Sequence, residues 1–318
     1  MDLTLALIRE AHARIKDKIN RTPVLTSGTL DTAAGAQLFF KCENFQKVGA
    51  FKARGATNAV FLLSDEEAQH GVATHSSGNH AAALARAAGL RGIPAHIVMP
   101  HNAPQAKQAA VARYGGRIVF CEPTLEARES ACARLIADTG AALIHPYDDL
   151  RVMAGQGTTA IEFLENVPEL DFLLCPVGGG GQLSGVAVAS KSIKPAIRVI
   201  GAEPAGADDA YRSFKAGHII PSVNPKTIAD GLRSSLGKLP FAEIQRYVDA
   251  IVTVSEESIV RAMRTIWEVM KIIVEPSAAV PYAVLLEGKL NIAAKRVGII
   301  LSGGNLDLDA LPWMKNHE

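Results

Sequence analysis

The sequence predicts an α/β fold of mostly parallel sheets flanked by helices. Three observations lead there. Short apolar, β-rich runs alternate with alanine-rich stretches of helical pattern. The runs are apolar through their centres, as expected of parallel strands covered on both faces. Several of them stop in loops rich in glycine and serine, which is where open α/β sheets bind ligands.

The elements follow in order. "MDLTLALIREAHARI" sets charges within an apolar pattern, so it reads as an amphipathic helix and not as a signal peptide. Strands are expected at "QLFFKCE", at a run from Gly71 to Thr74, and at "RGIPAHIVMP", "GRIVFCEP", "DFLLCPVG", "IRVIGAEP", "DAIVTVS" and "RVGIILSGGN". Helices are expected at "AAALARAAGL" and "APQAKQAAVARYG". With 318 residues the chain can build a sizeable core in two lobes. Its 48% hydrophobic and 20% charged residues fit an ordinary globular protein, and a net charge of +1 gives no general pull toward nucleic acid or membrane. No apolar run approaches bilayer length. Cys42, Cys121, Cys132 and Cys175 lie far apart without a C-x-x-C pair, which suggests reduced thiols in a cytoplasmic protein.

Four stretches carry candidate chemistry. In "KVGAFKARGA" Lys52 stands among small and apolar neighbours. Either its stem lies on apolar surface while the amine snorkels out, or the amine is desolvated and reactive. In "THSSGNHAAALARAA" a strand runs through Ser-Ser-Gly-Asn-His into a helix, which makes either a plain helix cap or an anion site. In "PVGGGGQLSGV" Gly178, Gly179, Gly180 and Gly181 exceed what a turn needs and suit a phosphate cradle with a helix beginning near Gln182. Gly179, Gly181 and Gly185, with Glu203 closing the next strand, loosely match a dinucleotide fingerprint, so an NAD(P)-dependent oxidoreductase is a rival on these residues alone. In "IILSGGNLDL" Ser302 either caps the turn or meets a heteroaromatic nitrogen.

Taken in order, "FKARGA", "SSGNH", "AGQGT", "GGGG" and "SGGN" resemble the fold type II pyridoxal-phosphate enzymes, in the serine/threonine dehydratase and serine racemase branch that includes 3-hydroxyaspartate dehydratases. The similarity runs from about Thr22 to Leu308. It implies a two-domain, tryptophan synthase β-like fold, with residues 71–148 as a small domain inserted in a large one formed by 1–70 and 149–318. It also implies a homodimer and a small amino-acid substrate.

The resemblance assigns roles. Lys52 is expected to form the Schiff base with pyridoxal 5'-phosphate and to act as base. Phe51 would pack on the ring, Asn79 would bond its 3-oxygen, Gly178 to Gly181 would hold its phosphate, and Ser302 would meet its nitrogen. Ser76, Ser77 and His80 would bind the substrate carboxylate, with Ser77 as the second acid/base on the face opposite Lys52. Arg128 and Ser234 would face the substrate's far end, where a guanidinium suits a second carboxylate and so favours 3-hydroxyaspartate over serine or threonine. Arg233 is expected at the surface. "AEPAGADD" matches a divalent-cation site in which Glu203, Asp209 and the Ala207 carbonyl hold Mg²⁺ or Ca²⁺. The chain departs from the animal racemase pattern at Ala81 and Ala82, where that pattern has Gly-Gln, and at Tyr147 in place of asparagine. Those departures favour elimination of water over racemisation of serine or aspartate.

Overall fold

A computed structural model describes residues 2–76, 78–103 and 105–314. Its strands are β1 (Val24–Leu25), β2 (Gln37–Cys42), β3 (Val72–His75), β4 (Ala95–Pro100), β5 (Arg117–Cys121), β6 (Ala142–Leu143), β7 (Phe172–Pro176), β8 (Arg198–Pro204), β9 (Ala250–Val254) and β10 (Arg296–Leu301). The larger sheet has the order β1-β2-β10-β7-β8-β9, with β1 antiparallel to β2 and the other pairs parallel. The smaller sheet has the order β5-β4-β3-β6 and is parallel throughout. Every run expected as a strand is one, although β3 is shifted one residue onward. The two-residue strands β1 and β6 are too short to show a period of two.

Chain order positions the site. The chain leaves the larger sheet after β2, builds β3 to β6, and returns at β7, while β10 inserts between β2 and β7. Because β2, β10 and β7 run parallel, the loops after them emerge at one end of the sheet. Those loops carry Lys52, Ser302 and the four glycines. The strands separate two cores: Val297, Ile299 and Leu301 of β10 face one, and Ile300 the other. The N-terminal helix Leu5–Ile15, capped by Thr4, buries Ile8, Ala11 and Ile15, as its pattern predicts. Helix Asn79–Arg91 places a row of buried alanines against the smaller sheet.

Helix Leu150–Asn166 is buried from Val152 through Leu164 and joins the two sides of the site. A Cβ at Gly155 would stand 2.6 Å from Gly55 Cα, and one at Gly157 would stand 2.8 Å from the Gly185 carbonyl. The helix therefore touches helix Lys52–Leu62 at one glycine pair and helix Gly181–Ile193 at another. That is the physical content of "AGQGT". Among the described residues no helix is long and apolar enough to cross a membrane. All four cysteines are free, and burial pushes the Cys42 thiol up to about 12.

Arg54, two residues after Lys52, is fully buried. Its guanidinium donates to Glu43 Oε2 and Oε1 at 2.7 and 2.8 Å and to both Glu162 oxygens at 2.8 Å. Lys41, also fully buried, donates to Glu162 Oε2 at 2.7 Å and to the Thr22 carbonyl at 2.8 Å. Two cations thus balance two carboxylates. Burial would raise the Glu162 carboxyl, but the hydrogen bonds and charges of Arg54 and Lys41 outweigh it and hold the group at about 2. This lowered value stabilises the fold above the ordinary glutamate range, and the contribution is lost as pH falls from about 4.5 toward 2. Arg54→Met leaves two buried carboxylates short of a cation and should cost about 3–5 kcal/mol in urea unfolding at pH 7. A loss below about 1 kcal/mol would show that the network is not an anchor.

Candidate active site

Lys52 opens helix Lys52–Leu62, and the loop before it is fastened to the turn after β10. Phe51 N–H donates to the Ser302 carbonyl at 3.0 Å, and Gly304 N–H to the Gly49 carbonyl at 2.9 Å. Ala50 and Gly303 form an isolated bridge. Gly49 has φ +68, and Asn305 Oδ1 lies 2.7 Å from where its Cβ would be, so both conformation and space demand glycine. The Lys52 amine does not snorkel outward. It donates to the Pro146 carbonyl at 2.7 Å, lies 5.1 Å from the Phe51 ring centre, and has no carboxylate partner among the described residues. Desolvation lowers its pKa to about 8.

The four glycines follow β7, and each is required by its neighbours. Cβ atoms would stand 2.9 Å from Leu232 Cα at Gly178, 2.4 Å from the Tyr147 ring at Gly179, 2.6 Å from Leu236 at Gly180 and 2.9 Å from the Tyr147 carbonyl at Gly181. Gly180 also has φ +88. Glycine richness here therefore has a packing cause that the sequence did not reveal: Tyr147 lies along the loop. Among the described residues none of the N–H groups of Gly178 to Gly181 has a main-chain partner. They form a donor cradle at the start of helix Gly181–Ile193, one residue earlier than expected.

Asn79 begins helix Asn79–Arg91 and reaches across to the larger sheet. Its Nδ2 donates to Glu275 Oε1 and Oε2 at 3.0 and 3.2 Å, and its Oδ1 accepts from Asn305 Nδ2 at 2.9 Å. Ser76 Oγ accepts from Gly78 N–H at 3.4 Å, and Ser77 lies outside the described residues. The His80 imidazole is buried, with Nε2 3.2 Å from the Ile144 carbonyl and Nδ1 unpartnered among the described residues. Burial, then the charge of Lys52, holds its pKa well below the ordinary value, so the ring is neutral. Its main-chain N–H, in the first helical turn, is the group left for a carboxylate.

Glu203 closes β8, but its carboxylate turns back on its own loop, accepting from Ala210 and Tyr211 N–H at 2.9 and 2.8 Å. It is fully buried, so no ribose can reach it as the dinucleotide reading required. Asp209 is fully buried too; Oδ2 accepts from Leu236 N–H at 3.0 Å, while Oδ1 has no partner among the described residues. Burial pushes Glu203 up to about 9 and Asp209 up to about 6. Ala207 is buried in the turn between them. No cluster of three His, Cys, Asp or Glu side chains suited to a metal occurs among the described residues; here two carboxylates share the loop.

Arg128 is half-buried on helix Leu125–Thr139, donates from Nε to the Thr124 carbonyl at 3.4 Å, and has no ion-pair partner among the described residues. Ser234 is half-buried beyond the turn Asp230–Leu232, and no hydrogen bond joins it to Arg128. Arg233 is exposed and turned onto the Thr227 carbonyl, as its surface reading expects.

Sequence reasoning missed Glu275 and the ring of Tyr147. An acid between "KIIV" and a helix-opening proline was the available signal for Glu275; Tyr147 stood out only as a departure from the racemase pattern, with nothing to show where its ring lies. The arrangement fits a phosphorylated aldehyde, because an unpaired N–H cradle suits its phosphate and a desolvated amine suits its carbonyl.

Comparison with known proteins agrees. The model of the pyridoxal-phosphate dependent enzyme family matches residues 15–303. The chain is 55% identical to a β-hydroxyaspartate dehydratase of Paracoccus denitrificans (strain Pd 1222), over 95% of this chain and 96% of that protein. It is 52% identical to a serine racemase of Arabidopsis thaliana, over 96% and 93%. The structure of maize serine racemase superposes with a TM-score of 0.95 at 49% identity, covering 97% of this chain and 95% of that one. With Lys52, the glycine cradle and the order of the motifs already in place, these similarities establish that the chain belongs to the pyridoxal-phosphate dependent enzymes.

Proposed function

We propose that this chain is an ammonia-lyase that eliminates water from a β-hydroxy amino acid and releases a 2-oxo acid and ammonia. 3-Hydroxyaspartate heads the candidate substrates, ahead of L-serine and L-threonine. The observation that carries this reading is the Lys52 amine, held by the Pro146 carbonyl at 2.7 Å with no carboxylate partner among the described residues, where burial lowers its pKa to about 8 and favours the neutral form. When bound, pyridoxal phosphate supplies the electron sink that makes the substrate's α-proton acidic. Gly178 to Gly181 would bind its phosphate, Phe51 and Asn79 would orient its ring, and Ser302 would offer its nitrogen an uncharged hydroxyl. Ser76 and the N–H groups at the start of helix Asn79–Arg91 hold the substrate's α-carboxylate. Lys52 takes the proton from Cα and returns it to the departing β-hydroxyl, which leaves as water. The resulting enamine becomes an imine, and a water molecule converts it to 2-oxo acid and ammonia. The racemase alternative draws on the 52% identity to a serine racemase, and needs Ser77 as a second acid/base.

Lys52→Ala should abolish turnover and the lysine-dependent visible absorbance of the bound cofactor, with an unchanged circular dichroism spectrum. Normal activity in that variant would overturn the mechanism.

The far-end reading rests on Arg128, whose guanidinium has no acid partner among the described residues. Charge-assisted hydrogen bonds contribute roughly 1.5–3 kcal/mol each, so Arg128→Ala should lower kcat/KM for 3-hydroxyaspartate by about 10²-fold and for serine much less. A wild type that prefers threonine, with equal losses on all substrates in the variant, would sink the acidic-substrate reading while leaving the elimination chemistry intact.

Glu203, Asp209 and the Ala207 carbonyl are the proposed ligands of Mg²⁺ or Ca²⁺. Support comes from two fully buried carboxylates and the unpartnered Asp209 Oδ1. Without a cation both acids titrate above their ordinary values, so the stability they lend at low pH is lost as pH rises through about 6 and 9. The cation favours the ionised pair and should reverse that loss. Expected is a rise in Tm on adding Mg²⁺ or Ca²⁺ to chelator-treated protein, larger at pH 8 than at pH 5. No change at either pH, or the same change in Asp209→Ala, would refute the site.

A further inference from the structure

Glu275 stands at the N-cap of helix Pro276–Leu286, yet its carboxylate makes no capping bond to that helix. It turns instead to the cofactor side, where it accepts from Asn79 Nδ2 and from Asn305 N–H at 3.1 Å. Gly303 leaves room for it, since a Cβ there would stand 2.7 Å from Oε1. Asn305 closes the circuit by donating from Nδ2 to Asn79 Oδ1 and to the Val48 carbonyl, at 2.9 and 2.7 Å. The ionised carboxylate can only accept, so it forces Nδ2 toward itself and Oδ1 toward Asn305. Asn79 is thereby locked in one orientation, with one N–H left over. Val48 precedes Lys52, Gly303 and Asn305 follow Ser302, and Asn79 opens the helix of the smaller sheet. Three loops of the site meet on this one acid.

The acid is only 4% exposed, and among the described residues no cationic side chain pairs with it. The charged groups that face it are Asp230, from the turn Asp230–Leu232, and Lys107, from helix Gln105–Arg113, and these two pair with one another. Burial, then the charge of Asp230, raises Glu275 to about 7, against the hydrogen bonds from Asn79 and Asn305.

We propose that Glu275 is the positioning residue of the cofactor ring: it fixes Asn79 for the ring's 3-oxygen and takes one proton from solvent when that oxygen brings negative charge. The inference rests on the family's cofactor lying where Asn79 can reach it. A second anion beside a buried carboxylate with no cation in contact is unfavourable in a low-dielectric site, and protonation of Glu275 removes the repulsion. Protonated Glu275 keeps one oxygen as acceptor and so retains its hold on Asn79.

The test is calorimetric titration of pyridoxal phosphate into cofactor-free protein at pH 8, in two buffers of different ionisation enthalpy, for wild type and Glu275→Gln. Glutamine has the same shape but cannot take up a proton. Expected is a proton uptake in wild type that exceeds the variant's by about half a proton or more. Equal proton counts would overturn the proposal, with Glu275 then a structural bridge only. A measurement on wild type alone guards against a variant that fails to fold. The infrared difference spectrum on cofactor binding should gain the carbonyl band of a protonated carboxylic acid, and its absence would equally overturn the idea. Failure of wild type to bind the cofactor at all would instead strike the proposed function.

Discussion

Everything at the site stands on the ion network around Arg54. A guanidinium with no water to turn to is held by Glu43, just beyond β2, and by Glu162, on helix Leu150–Asn166. Those partners come from the larger sheet and from the helix that crosses behind the site. The geometry is bidentate on both sides, which fixes the orientation of the guanidinium plane and not merely its distance. Lys52 is half a turn away on the same short helix, so the network sets where the amine stands. A hydrophobic residue of equal volume in place of Arg54 would restore packing but not this directional grip. The arginine of "FKARGA" thus anchors the helix that carries its lysine.

The ionisable groups named for cofactor, substrate and cation share one feature: they are desolvated and few are compensated. Lys52 is pushed down while Glu275, Glu203 and Asp209 are pushed up, and His80 is neutral. Burial is the first cause in every case. In the Arg54 network, by contrast, opposite charges outweigh burial at Glu162 and hold its carboxyl low. The contrast separates the scaffold from the chemistry within a few residues of sequence.

Much of this was legible in the sequence, and the reasons are local. Strand cores such as "FLLCP" and "RVGIIL" are apolar over enough residues to be read directly, and the ordered set of motifs carried the family. What stayed hidden depends on contacts between distant residues. Asn79 and Glu275 are separated by 196 positions, and neither end shows why the other is there. The tyrosine at 147 reads as a mere departure from pattern until its ring is seen against Gly179. The alanines at 81 and 82 likewise become intelligible as buried packing positions of their helix. Local chemistry announces itself in sequence; a partner across the fold does not.

The two glycine crossings of helix Leu150–Asn166 have a mechanical consequence. At Gly55–Gly155 and Gly157–Gly185 the main chains come so close that a Cβ at Gly155 or Gly157 would stand 2.6 or 2.8 Å from the facing backbone. Backbone that faces backbone in this way has less freedom to adjust than a contact made through side chains alone. Helices Lys52–Leu62, Leu150–Asn166 and Gly181–Ile193 are thereby packed backbone to backbone, and any change in the spacing of the amine and the N–H cradle would have to part these crossings. Parting them would mean pulling main chain from main chain along the length of a buried helix.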